Sequence, residues 1–240
     1  MPTSTQGGVF MAEKVFRDIL ETLKMEICLS RASDSSLFEL ARVARRLEFF
    51  KGEYIFNDGD ASEYFYLVES GRVILSKDAP SGKAFTFLIA TRGLPLNAVA
   101  CFKPRPRFFS ARAVEKTMVI AIPSPAFKQW VLENADVAAC ILDTMGNLLD
   151  GAYTRILDLI DESAEQRILN ALNMLSLRIG PDLPMTNNDI ADMTGTSRET
   201  AARVISRLQE AGLIRKSRGH IEILNGLQLD GLSTSPIFIL

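Results

Sequence analysis

The sequence predicts an α+β chain: a roll of short β-strands, then a long helix, then a helical hairpin with two strands behind it. Three observations carry that expectation. Between Phe49 and Ile122, brief runs of aromatic and β-branched residues alternate with Gly, Asp, Asn and Ser turns. Beyond Pro125 the apolar spacing becomes helical and holds to about Leu159. From Thr186, two short helical patterns meet at Gly195. They lead into Leu213-Ile214-Arg215 and Ile221-Glu222-Ile223-Leu224, read as two strands around a Ser217-Arg218-Gly219 turn.

Composition bounds the function. With 240 residues, 47% apolar and 23% charged, the chain can bury two cores and is not a disordered polymer. Cys28, Cys101 and Cys140 are odd in number and far apart, so they supply neither a disulfide framework nor a zinc ribbon. His220 is the single histidine, which leaves histidine triads and multi-histidine metal sites without ligands. No nucleophile–base pair or Gly-rich phosphate loop is found, and an enzyme is not expected. No apolar run reaches the roughly 18–20 residues of a membrane-spanning helix, and residues 1–9 lack the layout of a secretory signal. A reduced, cytoplasmic setting without membrane attachment is expected.

The elements follow in order. Residues 1–10, rich in Thr, Ser, Gly and Gln, read as loose, with Met11 an equal candidate for the start. Val15, Phe16, Ile19, Leu20 and Leu23 share a helical face, and Leu37, Leu40, Val43 and Leu47 form a second stripe, so two short helices should precede the first strand. Strands are read at Tyr54–Phe56, Tyr64–Val68, Val73–Leu75 and Phe85–Ile89, with Pro80-Ser81-Gly82-Lys83 as a hairpin turn. Gly59 and Gly71 are assigned to turns that need positive φ. In the long helix, Leu142, Leu149 and Ile156 take heptad position a, and Met145, Ala152 and Leu159 position d. Such a seam calls for twofold pairing with a second copy; an amphipathic helix packed on its own roll is the alternative.

The hairpin carries the chemistry. Thr186-Asn187-Asn188-Asp189 opens its first helix, and Thr196 and Glu199 have capping-box spacing at the start of the second. Ala201, Val204, Ile205 and Leu208 mark a buried face, which leaves Arg198, Glu199, Arg203 and Arg207 to project outward, with Gly212 ending the helix. Charge agrees: residues 196–220 hold six basic side chains (Arg198, Arg203, Arg207, Arg215, Lys216, Arg218) against Glu199 and Glu210, in a chain of formal net charge −2. Insertion into the DNA major groove requires such a face, because arginine grips guanine with two bonds and glutamate accepts from cytosine. Ser197 and Thr200 at the helix start suit phosphate contacts, as does Lys216 in the strand pair.

The order of elements resembles the cyclic-AMP receptor/FNR (Crp/Fnr) family of bacterial transcription regulators, from about Leu40 to Asn225. The residues that carry the resemblance are Phe50-Lys51-Gly52-Glu53 before a strand, Gly59-Asp60, Phe65-Tyr66-Leu67-Val68 followed by Gly71, Gln166-Arg167-Ile168, and Ser197-Arg198-Glu199-Thr200 with Arg203. The resemblance implies an N-terminal β-roll of the cyclic-nucleotide-binding jelly-roll type, a long dimerisation helix and a C-terminal winged helix-turn-helix. It also implies that Arg198, Glu199 and Arg203 read a TGTGA-like half-site, that Thr186 contacts phosphate, and that RNA polymerase is a partner. Asn187 and Asn188 replace the longer polar residues usual after that threonine.

The effector pocket departs from the family pattern. The family pairs a Gly-Glu with an arginine and a small hydroxyl residue ten positions beyond the Glu. Here Leu96-Asn97 and Arg107-Phe108 stand in their places, and Ala152 and Tyr153 stand where threonine and serine reach the adenine. Cyclic AMP is therefore disfavoured as the effector. An FNR-type iron–sulfur cluster needs four cysteine ligands, one more than the chain has. Heme stays open, with Cys101, a methionine or the Pro2 amine as axial ligand. Phe102, Phe108, Phe109 and Trp130 would line a site for an apolar effector, or else fill the core. For Arg107 the alternative is a structural salt bridge or a surface charge. Nothing in the sequence lowers the pKa of Cys101 as a redox switch requires.

The expected division is 1–30 as an N-terminal extension and helix, 31–125 as the sensing roll, 126–162 as the dimerisation helix region, 163–226 as the DNA-binding domain and 227–240 as a tail. The expected function is an effector-responsive, sequence-specific regulator that binds a pseudo-palindromic DNA site as a homodimer. The alternative is a cyclic-nucleotide-type regulatory module whose C-terminal region is a protein interface.

Overall fold

A computed structural model of the chain describes residues 5–78, 84–103 and 105–234. The turn at Pro80–Lys83, Pro2 and the tail from Pro236 lie outside the described residues. The chain divides into two compact units: residues up to Lys77 with Leu88–Asp143, and Asp78–Phe87 with the chain from Thr144.

The first unit opens with helices α1 (Thr5–Met25) and α2 (Asp34–Arg42), joined through a 3-10 turn at Leu29–Arg31. Two expectations are corrected here. Helix α1 starts at Thr5, within the segment read as loose. The second apolar stripe splits, because Val43 is the C-cap of α2 and Leu47 belongs to strand β1 (Arg45–Phe49). From Arg45 on, the backbone pairs with β7 (Thr117–Pro123), in register Arg45 with Ala121 to Phe49 with Thr117, so no donors remain for a further helical turn.

Strands β2 (Tyr54–Phe56), β3 (Tyr64–Ser70), β4 (Val73–Asp78), β5 (Ala84–Ala90) and β6 (Ser110–Ala113) complete the roll. They form two sheets, ordered β1-β7-β3 and β2-β6-β4-β5. Strand β7 is central in the first, antiparallel to both neighbours. Val119, Ile120, Ala121 and Ile122 along it are all buried, the pattern of a strand covered on both faces. Ile120 and Ile122 join Leu23, Leu37, Leu40, Phe65 and Phe127 in one core that welds the helices to the sheet.

Gly59 and Gly71 both take positive φ, as expected. At Gly71, φ is +83°, and a Cβ would stand 2.5 Å from Thr117 Oγ1 and 2.6 Å from the Lys116 carbonyl oxygen. Gly71→Ala is expected to cost roughly 2–4 kcal/mol, read as a lower denaturant midpoint at constant slope. A loss under about 0.5 kcal/mol, the size of an ordinary surface change, contradicts this account of the turn.

The helical stretch after Pro125 is not continuous. Helix α3 (Ser124–Glu133) stops at Asn134, whose Nδ2 donates to the Trp130 carbonyl at 2.7 Å and whose Oδ1 accepts from Ser36 Oγ at 2.9 Å. Helix α4 (Ala135–Asp161) then runs for 27 residues. Its heptad stripe faces outward: Leu142 is 72% exposed, Leu149 52%, Ile156 53% and Leu159 53%. Met145 is half-buried and Ala152 exposed.

The second unit holds α5 (Ala164–Ile179), β8 (Asp182–Leu183), α6 (Asn187–Thr194), α7 (Arg198–Glu210), β9 (Ile214–Ser217), β10 (His220–Ile223) and α8 (Gly226–Leu232). Ile168, Leu172, Leu183, Ile190, Val204, Ile205 and Ile221 are buried within it. The wing has three strands, ordered β8-β10-β9, where two were expected. Only Leu183 and Asp182 add to the edge of β10, a run too short to leave a period in the sequence.

Candidate nucleic-acid interface

The hairpin is built from two capped helices. Thr186 Oγ1 accepts from the Asp189 N–H at 3.2 Å, and Asp189 Oδ2 accepts from the Thr186 N–H at 2.8 Å, a reciprocal capping box on α6. Gly195 ends α6 in the left-handed region, φ 63° and ψ 32°. The Thr196 N–H closes that turn on the Ala191 carbonyl at 3.0 Å, and its hydroxyl pairs with that of Thr194. Thr196 is thereby committed to the end of α6, and the expected Thr196–Glu199 capping box does not form. Ser197 is the N-cap of α7 instead, with Oγ accepting from the Thr200 N–H at 3.1 Å.

One face of α7 is buried as the sequence indicates: Ala201, Val204, Ile205 and Leu208. The other presents Ser197, Arg198, Glu199 and Arg203 to solvent, with Thr200 half-buried. Glu199's own backbone N–H and the Ser197 hydroxyl hold its carboxyl below the usual carboxylate range, so it is ionised at neutral pH. Arg207 is exposed as expected, but Glu165 of α5 takes its Nη1 at 2.7 Å. Gly212, φ 71°, ends the helix, and the Leu213 N–H returns to the Leu208 carbonyl at 3.0 Å. In the wing the Lys216 side chain is exposed, Arg215 pairs with Glu222 at 2.9 Å, and His220 Nδ1 lies 3.3 Å from Asp182. Three residues near the interface left no signal as site residues: Glu165, Arg167 and Asp192. The Asp192 carboxyl is pushed up by burial and by Asp189, and drawn down by Arg198.

The roll residues are arranged differently from expectation. Arg107 is 3% exposed; its guanidinium carbon stands 3.9 Å over the Phe56 ring and 5.3 Å over that of Tyr66, and Nη2 donates to the Tyr64 carbonyl. Neither alternative read from the sequence holds: it is not a surface charge, and no carboxylate among the described residues forms a salt bridge with it. Burial lowers its pKa. Phe108 points away to solvent under the Lys77 ammonium, 4.2 Å from the ring centre, so it does not fill the place beside Arg107. Asn97 takes φ 60°, the one non-glycine residue with positive φ among the described residues, and leads a 3-10 turn at Ala98–Phe102.

The four aromatics do not line one site. Trp130 and Phe102 pack on Phe127 inside the helical core, and Trp130 Nε1 donates to the Ser36 carbonyl at 2.9 Å. Phe108 and Phe109 form a separate edge-to-face pair at 5.0 Å. Cys101 Sγ accepts from Ser124 Oγ at 3.3 Å, and burial pushes its thiol up, the wrong direction for a thiolate ligand or a redox switch. Among the described residues, no three His, Cys, Asp or Glu side chains are grouped to hold a metal ion, and no helix is long and apolar enough to cross a membrane. Ala152 and Tyr153 lie exposed on α4.

A roll of β-strands followed by a capped helical hairpin and a wing defines a two-domain regulator with a helix-turn-helix for DNA. Comparison with known proteins agrees. Residues 46–134 match the cyclic nucleotide-binding domain and residues 166–232 the Crp-like helix-turn-helix domain. The chain is 29% identical over 195 residues to the cyclic AMP receptor protein of Thermus thermophilus, covering 81% of this chain and 90% of that one. It is 27% identical over 228 residues to the transcriptional activator protein Anr of Pseudomonas protegens, covering 91% of each. In fold it matches the structure of FixK2 from Bradyrhizobium japonicum with a TM-score of 0.71 at 23% identity, over 80% of this chain and 98% of that one. The chain belongs to the Crp/Fnr family of transcription regulators, a family without enzymatic activity.

Proposed function

We propose that two copies pair along α4 and that the pair reads a pseudo-palindromic DNA site with TGTGA-like half-sites, one α7 helix per half-site. The observation that carries this reading is the start of α7. Arg198 and Glu199 in its first turn and Arg203 in its second stand exposed behind the Ser197 cap, the geometry by which a recognition helix enters the major groove. Ser197, Thr200 and Lys216 are assigned to phosphates, and so is Thr186, whose hydroxyl already serves the α6 cap. Arg207 contributes only if DNA displaces Glu165. The outward seam of Leu142, Met145, Leu149, Ala152, Ile156 and Leu159 supports the pairing, since a monomer gains nothing by holding such a stripe in water.

The roll, residues 31–125, receives the signal, the helix region 126–162 relays it, and residues 163–226 bind DNA as partner to RNA polymerase. We place the effector within the roll, near Asn97 and Arg107, and take it to be neither cyclic AMP nor an iron–sulfur cluster. The burial of Cys101 against Ser124 weighs against heme held by that thiol.

Fluorescence anisotropy of a duplex with two half-sites one turn apart tests the reading. Specific binding that weakens steeply between about 50 and 200 mM salt is expected, whereas salt-independent or absent binding contradicts it. Glu199→Gln should lose its preference for cytosine at one base pair by about 1–3 kcal/mol. Because the Glu199 carboxyl is depressed, it stays charged above its lowered pKa. Discrimination should therefore be flat from neutral pH down to about pH 5 and fade only below that. A loss between pH 7 and 6 refutes the assignment.

A further inference from the structure

Arg167, in the first turn of α5, bonds the residue that follows α4 and the last residue of α6 at once. Its Nη1 donates to the Glu162 carbonyl at 2.9 Å, where α4 gives way to α5. Its Nε donates to the Thr194 carbonyl at 2.9 Å, the last residue of α6 before the Gly195 turn. Both oxygens belong to helix C-terminal ends, which lack intrahelical donors and carry partial negative charge, so a guanidinium satisfies them well. A second contact joins the same places. Leu159, the last d residue of the α4 seam, lies so near Gly195 that a Cβ there would stand 3.2 Å from Leu159 Cδ2. At the far end of α7, Arg207 is tied to α5 through Glu165. The turn that leads into the recognition helix is thus held to the end of α4, and the trailing end of that helix to α5.

We propose that Arg167 is a positioning residue that fixes the direction of α7 relative to α4, and thereby sets the half-site separation that a pair of copies accepts. The inference rests on the pairing proposed above. If α4 helices join the two copies, the angle at the Glu162 junction decides how far apart two α7 helices lie, and Arg167 is the side chain that bridges that junction to the reading turn. A planar guanidinium can bridge two carbonyls in one fixed geometry; an ammonium on a flexible stem holds such a pair less rigidly.

The test uses the full-length protein, Arg167→Met and Arg167→Lys on three kinds of duplex: two half-sites one turn apart, two half-sites with base pairs inserted between them, and one half-site alone. Arg167→Met should keep its dimeric sedimentation and its affinity for the single half-site, while its preference for one spacing over the others falls by about tenfold. Arg167→Lys should fall between, and it carries the test if the methionine variant does not fold. Wild-type spacing preference in both variants overturns the inference alone. So does an equal loss on the single half-site, which marks a merely structural role. A wild-type protein that is monomeric, or that shows no spacing preference, overturns the pairing and this inference with it.

Discussion

Leu149→Glu is expected to turn a dimer into monomers and to weaken binding to a duplex with two half-sites by about 100-fold or more, the scale of lost bivalency. Leu149 holds the central a position of the α4 seam. In a twofold pair the a residues of the two helices face each other, so the change buries two carboxylates side by side. The protomer itself should be little affected, because Leu149 is already half exposed in it and surface changes cost within about 0.5 kcal/mol. Sedimentation velocity and thermal melts separate the two effects. A Leu149→Glu protein that remains dimeric and binds DNA normally removes α4 from the interface.

Arg198→Ala should cost roughly 1–3 kcal/mol on the specific site and relax discrimination at one base pair per half-site. Arg198 occupies the first turn of α7, exposed and free of any salt bridge among the described residues, so its fork is available to a guanine edge. Lys216→Ala provides the contrast. A phosphate contact carries no sequence information, so this variant should weaken all duplexes alike and lower the salt slope by about one. Competition against random duplex measures both. Equal losses on specific and random DNA for Arg198→Ala would return that arginine to the phosphate class.

The broad order of elements was legible where an element has a period or a punctuation mark of its own. The buried face of α7, the turn glycines Gly59 and Gly71, the helix-ending Gly212 and strands β2 to β5 follow from local chemistry, whereas β1, β6 and β7 were not read as strands. What escaped the sequence depends on partners distant along the chain. Helix α3 stops at Asn134 because Ser36, far earlier, supports its side-chain amide. Leu47 fits a helical stripe, but β7 claims its backbone. Thr196 has the right spacing for a cap and is taken by the end of α6. Strand β8 is too short to read.

At the sites the same distinction applies. The outward set Arg198, Glu199 and Arg203 was legible from helical geometry, while the capture of Arg207 by Glu165 was not, since 42 residues separate them. In the roll, adjacent Arg107 and Phe108 point to opposite sides, inward onto Phe56 and outward under Lys77. A motif comparison lines up such neighbours without saying which way each turns.

The central claim is that two α7 helices lie in successive major grooves of one DNA site. Methylation interference at guanine N7 on a duplex bearing two TGTGA-like half-sites tests it most directly, because N7 lines the major groove. The account predicts two clusters of interfering guanines, symmetric about the dyad and one helical turn apart, with interference at one guanine of each cluster lost in Arg198→Ala. Interference confined to one cluster, or absent while binding persists, would contradict it.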